Sequence, residues 1–280
     1  MLPEGTEDLI DRALREDLGP GDHTTLSTIP AEARGAARLL VKDPGILAGL
    51  ELAQAIVHRF DPDLVLKPYM LDGAAIDVGD VPFTLIGPAR SFLMVERLVL
   101  NFMQRMSGIA TLTHRFVEAI DGTGCTVLDT RKTTPTLRAI EKWAVRIGGG
   151  QNHRHGLYDM VMIKDNHADV AGGIPQAIRA AQAYLEAKGL DLPIEVETRN
   201  LEELELVMRI GGVHRIMLDN FEPMVMRKAV DRIGGRFETE ASGGITLANA
   251  RSFAETGVDF ISVGALTHSA PSLDLSLKAL

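Results

Sequence analysis

Residues Ile194 to Asp219 read IEVETRNLEELELVMRIGGVHRIMLD, two strand-length apolar runs at either end of a helical pattern. Ile194–Val196 and Arg215–Leu218 have the length of buried strands, and Asn200 with Glu203 has the spacing of a capping box that starts a helix. A strand, a helix and a strand in that order require a crossover, so the two strands run parallel. The pattern repeats on both sides: Thr126–Leu128 and Met160–Ile163 come before it, and Phe237–Ala241 and Phe260–Val263 come after. Pro223 suits the first turn of one intervening helix, and Thr246 is placed to cap another that ends before Gly257. Six strands alternating with helices leave two architectures, a closed α/β barrel or an open doubly wound sheet.

The residues at the strand ends discriminate between them. In turn these are Arg131 and Lys132, Lys164 with Asp165, Glu197, Asp219 with Asn220, Ser242-Gly243-Gly244, and Gly264. In an open sheet a ligand touches mainly the loops at one switch point, whereas in a barrel every strand end rings one mouth. Every strand here contributes a residue of functional type, which favours the barrel, although only six strands are visible where eight are usual.

Upstream of Cys125 the rhythm differs. Thr6 is placed to cap a helix that stops at Gly19, Ala36–Val41 and Leu64–Met70 alternate like strands, and Leu50, Ala53, Val57 and Phe60 mark a second helix. From Ser91 to Ile120 the pattern is helical, with a break expected at Ser107-Gly108. Mixed elements in this order indicate an α+β first domain.

Composition sets limits on function. The 280 residues are 45% hydrophobic and 24% charged, enough for one large domain or two smaller ones. A net charge of -9 with no long basic stripe argues against general nucleic-acid binding. The single cysteine, Cys125, can form neither an internal disulfide nor a thiolate zinc cluster. No apolar run has the length of a membrane span, and the first residues do not resemble a signal peptide, so a cytoplasmic protein is expected.

Against that acidity, Val127 to His167 gathers seven Lys or Arg and three His. Arg138, Lys142 and Arg146, spaced four apart, read as one solvated helix face. Arg131, Lys132, His153, Arg154 and Lys164 instead follow directly on hydrophobic elements or on the triplet Gly148–Gly150, so packed elements can aim them at one point. Forked arginine donors suit planar carboxylates, and two of them imply a dicarboxylate. Glu197 and Asp219, at the ends of successive strands, are candidate oxygen ligands for Mg²⁺ or for ribose hydroxyls, with a salt bridge to lysine as the alternative. Glu195 is expected on the opposite face of its strand. Ser242-Gly243-Gly244 and Gly264 offer backbone amides in adjacent late loops, the usual place for a phosphate in a barrel. Gly148–Gly150 lacks Walker spacing and could serve only to end a helix. A Schiff-base role for Lys164 is a competing chemistry.

Several long motifs in order closely resemble quinolinate phosphoribosyltransferase, also called nicotinate-nucleotide pyrophosphorylase (carboxylating). They are EDLGPGDHTT at Glu16–Thr25, LNFMQRMSGIATLT at Leu100–Thr113, DTRKTTP at Asp129–Pro135, GGGQNHRHGLYDMVMIKDNH, IEVETRNLEEL, IMLDN, ASGGI and ISVGALTHS. The resemblance implies an N-terminal α/β sandwich domain over residues 1–110, then an incomplete parallel α/β barrel over 111–270, with 271–280 returning to the first domain. It places quinolinate on Thr130, Arg131, Lys132, His153, Arg154 and Lys164, with Lys132, Lys164, Glu197 and Asp219 as the catalytic set. It places phosphoribosyl pyrophosphate and Mg²⁺ on Glu197 and Asp219, and the phosphates on Ser242, Gly243, Gly244, Val263, Gly264 and Ala265, with His268 nearby. Arg105 resembles the arginine that reaches a partner subunit's site, which implies a homodimer or a larger assembly of dimers. Two departures stand out: Thr136 where the family often has Gly after TTP, expected to alter the loop near Lys132, and one extra residue in GGVHRIMLDN, expected only to lengthen a connection. The alternatives are a Schiff-base lyase using Lys164, or a diverged non-enzyme that binds a metabolite or is associated with molybdenum transport.

Overall fold

The computed structural model describes residues 2–280. It begins with α1 (Thr6–Leu18), α2 (His23–Thr28), β1 (Arg34–Val41), β2 (Gly45–Ile46), α3 (Leu50–Phe60), β3 (Val65–Pro68), β4 (Ala75–Ile76), β5 (Phe83–Pro88) and α4 (Ala89–Ala119). There follow β6 (Thr126–Leu128), α5 (Arg138–Ile147), β7 (Val161–Ile163), α6 (Asp165–Ala171), α7 (Ile174–Lys188), β8 (Ile194–Thr198) and α8 (Leu201–Ile210). The chain closes with β9 (Arg215–Asp219), α9 (Pro223–Ile233), β10 (Glu238–Ser242), α10 (Ala250–Ala254), β11 (Phe260–Ser262), α11 (Ala265–His268) and β12 (Leu275–Ala279). Residues up to His114, Thr133–Gly149 and Leu266–Leu280 form one compact unit, and Arg115–Lys132 with Gly150–Ala265 form another. Residues 133–149 thus leave the 111–270 domain expected from sequence. The buried Glu141 of α5 bonds Arg105 of α4, and Gly148 lies so close to the Ala110 carbonyl that a side chain there would collide with it.

The first unit carries an antiparallel sheet in the order β12-β1-β5-β3. Alternation along β1 buries Ala37, Leu39 and Val41, which share the core with Phe83 and Leu85 of β5 and with Leu275 and Leu277 of β12. Helix α1 ends at Gly19 as expected, but Gly5, in a left-handed conformation, holds its N-cap position. Thr6 is buried one residue further in, its hydroxyl donating to the Pro3 carbonyl at 2.6 Å.

Helix α4 runs unbroken through Ser107-Gly108, contrary to the expected break. Ser107 is fully buried, and its Oγ accepts from the Ala48 amide at 3.0 Å. Thr111 Oγ1 accepts from the Ile46 amide at 2.9 Å. A methyl group on Gly108 would run into the Pro271 carbonyl oxygen. The polar and small residues in this helix therefore receive neighbouring backbone instead of ending the helix.

Helix α5 also departs from expectation. Lys142 is 2% exposed and Glu141 is fully buried, so the row Arg138, Lys142, Arg146 is not one wet face; Arg146 is exposed and Arg138 half-buried.

The second unit is a six-stranded parallel sheet in the order β6-β11-β10-β9-β8-β7. β6 and β7 each have one strand neighbour, so the array is an incomplete α/β barrel and does not close. One face is apolar and buried, with Val127, Ile163, Val196, Ile216, Leu218, Ala241 and Ile261, and α7, α8 and α10 lie against strands of this sheet. The other face carries Met162, Glu195, Glu197, Arg215, Met217, Asp219, Glu240, Ser242 and Ser262. As expected, Asn200 caps α8, accepting from the Glu203 amide at 2.9 Å, and Pro223 opens α9. Thr246 does not cap a helix: its amide donates to Asn249 Oδ1 at 2.7 Å, and Asn249 is the residue that precedes α10.

Candidate active site

A cavity of about 470 Å³ opens on the polar face of the second unit, a volume suited to a small ligand. Its wall takes Thr130, Arg131 and Lys132 from beyond β6, Met162 from β7 and Lys164 just after it, Glu197 from β8, Met217 and Asp219 from β9, Glu240 and Ser242 from β10, and Ser262 from β11. His153 and Arg154 complete it. All six strands reach one cavity, which requires a curled sheet.

The cationic side is held by a residue that the sequence reading passed over. Asp129, fully buried at the end of β6, accepts from Asn152 Nδ2 at 2.6 Å and from the His153 amide at 2.9 Å. This staples the loop carrying Arg131 and Lys132 to the loop carrying His153 and Arg154. A buried carboxylate needs such partners, so an Asp next to an apolar strand was the available signal. Arg131 Nε is buried without an acceptor among the described residues, and Arg154 is pushed below the usual guanidinium range by burial and then by the Arg131 charge. Two crowded, partly desolvated guanidinium groups favour an anion between them.

Beneath them lies a second network. His153 Nε2 is 2.9 Å from Glu195 Oε2 and 3.3 Å from Glu240 Oε2, and both carboxylates are fully buried. Arg215 reaches Glu240 at 3.0 Å and Glu238 at 2.9 Å, with its guanidinium 4.0 Å from the Phe260 ring. Glu195 is two residues from Glu197 and therefore shares its face, correcting the expectation that it points away; a period of two puts i and i+2 together. Burial disfavours the charged form of the His153 imidazole, while hydrogen bonds and charge from Glu195 and Glu240 act in the opposite direction. Nδ1, however, accepts the Arg154 amide N–H at 2.7 Å, which a doubly protonated ring cannot do. The amide contact assigns the ring proton to Nε2. Burial and the Glu240 charge push the Glu195 carboxyl up to about 6.

On the opposite side, burial and then the charge of Asp219 raise the Glu197 carboxyl above its usual range, against the pull of Lys164. Gly243 and Gly244, both at positive φ, follow Ser242, and a side chain on Gly243 would collide with Asn220. Because α10 starts only at Ala250 and has five residues, a phosphate reading of this loop rests on its glycine backbone and not on a helix N-terminus. Gly243, Gly244, Val263 and Gly264 are in loops at these strand ends and Ala265 begins α11, and none of them is part of the wall. His268 is exposed, its Nδ1 2.7 Å from Ser269 Oγ. Arg105 belongs to the first unit, where it bonds Glu141 Oε1 at 2.8 Å, the Ala270 carbonyl at 2.9 Å and the Thr267 carbonyl.

Family patterns match both parts of the chain. The C-terminal domain pattern of quinolinate phosphoribosyl transferase matches residues 109–278, and its N-terminal domain pattern matches residues 22–107. The chain belongs to the quinolinate phosphoribosyltransferase family. Among its relatives in this family, quinolinate phosphoribosyltransferase [decarboxylating] 1b of Nicotiana tabacum is 47% identical over 96% of this chain and 81% of that protein. Nicotinate-nucleotide pyrophosphorylase [carboxylating] of Mycobacterium leprae is 42% identical over 98% and 97%. The crystal structure of NadC from Streptococcus pyogenes superposes with a TM-score of 0.94 at 39% identity, covering 100% of this chain and 99% of that one. Membership of this phosphoribosyltransferase family sets aside the Schiff-base and non-enzyme alternatives.

Proposed function

We propose that this phosphoribosyltransferase converts quinolinate and phosphoribosyl pyrophosphate to nicotinate mononucleotide, pyrophosphate and carbon dioxide, a step of de novo NAD biosynthesis. The observation that carries the site assignment is the division of one cavity into a cationic side and an acidic side on the ends of the same six strands. Arg131, Lys132, Arg154 and Lys164 hold the two carboxylates of quinolinate, with Thr130 and His153 completing that wall. Ser242, Gly243 and Gly244, with Val263, Gly264 and Ala265, take the phosphates, with His268 nearby. The pyridine nitrogen attacks the anomeric carbon of the ribose as the bond to pyrophosphate breaks. Carbon dioxide then leaves the carbon next to that nitrogen, whose positive charge stabilises the electron pair left behind until a proton takes its place.

Glu197 and Asp219 fit a Mg²⁺ site: both are hard oxygen donors lining one cavity, and the Asp219 charge raises Glu197. Bound there together with substrate oxygens, the ion would offset charge on the departing pyrophosphate. Lys132 and Lys164 supply fixed positive charge beside the reacting groups.

We extend the proposal to a homodimer, or a larger assembly of dimers, in which Arg105 enters the partner's site. Mixing Arg105→Ala and Arg154→Ala chains, each expected to be impaired alone at low quinolinate, is expected to restore part of the activity, and no recovery would count against a shared site. Among the described residues no helix is long and apolar enough to cross a membrane, and the proposal includes a cytoplasmic setting, usual for a chain with one cysteine.

Mass-spectrometric detection of nicotinate mononucleotide from quinolinate, phosphoribosyl pyrophosphate and Mg²⁺ tests the activity, with nicotinic acid in parallel. Product from quinolinate that disappears on chelation and returns with Mg²⁺ is the expected outcome. Product only from nicotinic acid would overturn the substrate assignment, and activity that survives complete chelation would overturn the metal assignment.

A further inference from the structure

Two fully buried carboxylates under a site that must accept a dianion require an explanation. An apolar floor would be as stable or more so, because removing charges from water costs several kcal/mol each. Glu195 and Glu240 come from β8 and β10, with Arg215 on the intervening strand β9 and in contact with Glu240 at 3.0 Å. Arg215 thus supplies the counter-charge that keeps this pair from repelling the ligand above.

The pair meets His153 at Nε2, and the same ring meets the Arg154 amide at Nδ1. The imidazole thereby faces protein at both nitrogens, through a hydrogen bond at Nδ1 and close carboxylate contacts at Nε2. A ring held in this way is a strut, and what it braces is the peptide from which Arg154 reaches into the cavity. The His153 amide is fixed in turn by Asp129 at 2.9 Å, so the backbone on both sides of His153 is tied down.

We propose that Glu195 and Glu240 are positioning residues that act on the carboxylate-binding side of the cavity through His153, whose ring sets the backbone of Arg154. The inference rests on quinolinate occupying that side. Carboxylate recognition then depends on an acidic pair that acts through the His153 ring.

The conservative variants Glu195→Gln and Glu240→Gln test this, together with His153→Gln and the double variant of Glu240 and His153. KM for quinolinate is expected to rise by about tenfold or more in each single variant, the loss typical of removing a charged hydrogen-bond partner. KM for phosphoribosyl pyrophosphate should stay within about twofold, a split that general loosening of the fold would not produce. The double variant should be no worse than His153→Gln alone, because both changes break one chain of contacts. Equal rises for both substrates, an unchanged quinolinate KM, or effects that multiply in the double variant would each overturn the proposal. Nitrogen NMR of ¹⁵N-histidine-labelled wild-type protein, with His153 assigned by its variant, provides a second readout should a variant fail to fold. An unprotonated Nδ1 and a protonated Nε2 at neutral pH are expected, and a protonated Nδ1 would remove the link to Arg154. Wild-type turnover of quinolinate is measured in the same series, so failure of the substrate reading is distinguishable from failure of this inference.

Discussion

Arg154 shows what a single side chain contributes to this site. Held at its backbone by Nδ1 of His153 and crowded by Arg131, its guanidinium is placed for a carboxylate. Arg154→Ala is expected to weaken quinolinate binding by about 2 kcal/mol, roughly thirtyfold in Kd; isothermal titration checks it, and unchanged affinity would remove Arg154 from the site. Thr136 is a different case, a β-branched residue at φ 69° in the exposed loop before α5. Gly adopts that conformation without strain. Thr136→Gly should therefore stabilise the protein by about 1 kcal/mol, the relief of strain exceeding the added entropy of the unfolded chain. A lower Tm in calorimetry would contradict this account. At this scale the cations following hydrophobic elements were legible in the sequence, because a charge beside a buried strand has few places to go. Glu195 and Glu240 were not. The face of Glu195 follows from the two-residue period it shares with Glu197, but its pairing with His153, and that of Glu240 with His153 and Arg215, joins residues far apart in sequence.

Among the elements, the parallel strands and their order were the most legible, since the strand-helix rhythm after Cys125 permits few connections. Helix α4 was misread for a physical reason: Ser107 and Gly108 are signs of a break in a solvated helix, but here they make room for other backbone. Gly108→Ala is accordingly expected to cost about 2 kcal/mol or more, because the methyl meets the rigid carbonyl of Pro271 and the helix cannot absorb the displacement. Chemical denaturation would measure it, and a neutral or stabilising result would mean that this segment gives way easily. Helix α5 was misread in the same manner. Its row of cations at i, i+4 and i+8 resembles a wet face, yet Lys142 and Glu141 are buried because the helix belongs to the first unit, a pairing that local spacing does not encode.

At the scale of the whole molecule, sequence identified an α+β part followed by an incomplete barrel, and the open array from β6 to β7 bears out that reading. The assignment of residues 133–149 to the first unit escaped it, since helical periodicity says nothing about which core a helix joins. Strand β12 pairs with β1 from Ala37↔Ala279 to Val41↔Leu275 and buries Leu275 and Leu277. Deleting residues 275–280 should therefore cost the first unit several kcal/mol, at about 1.5–3 kcal/mol for each buried leucine, and expose β1 as a sticky edge. Faster proteolysis of that unit and concentration-dependent aggregation are the expected signs, and a truncated protein as resistant as the full chain would refute it. The same pairing imposes a timetable on biosynthesis. β1 leaves the ribosome early, while its partner is not made until the whole barrel has been translated, roughly ten to fifty seconds later at 5–20 residues per second. Throughout that interval the nascent first unit carries an unfilled sheet edge, so the barrel can complete its folding first and the earliest residues made are among the last to become native.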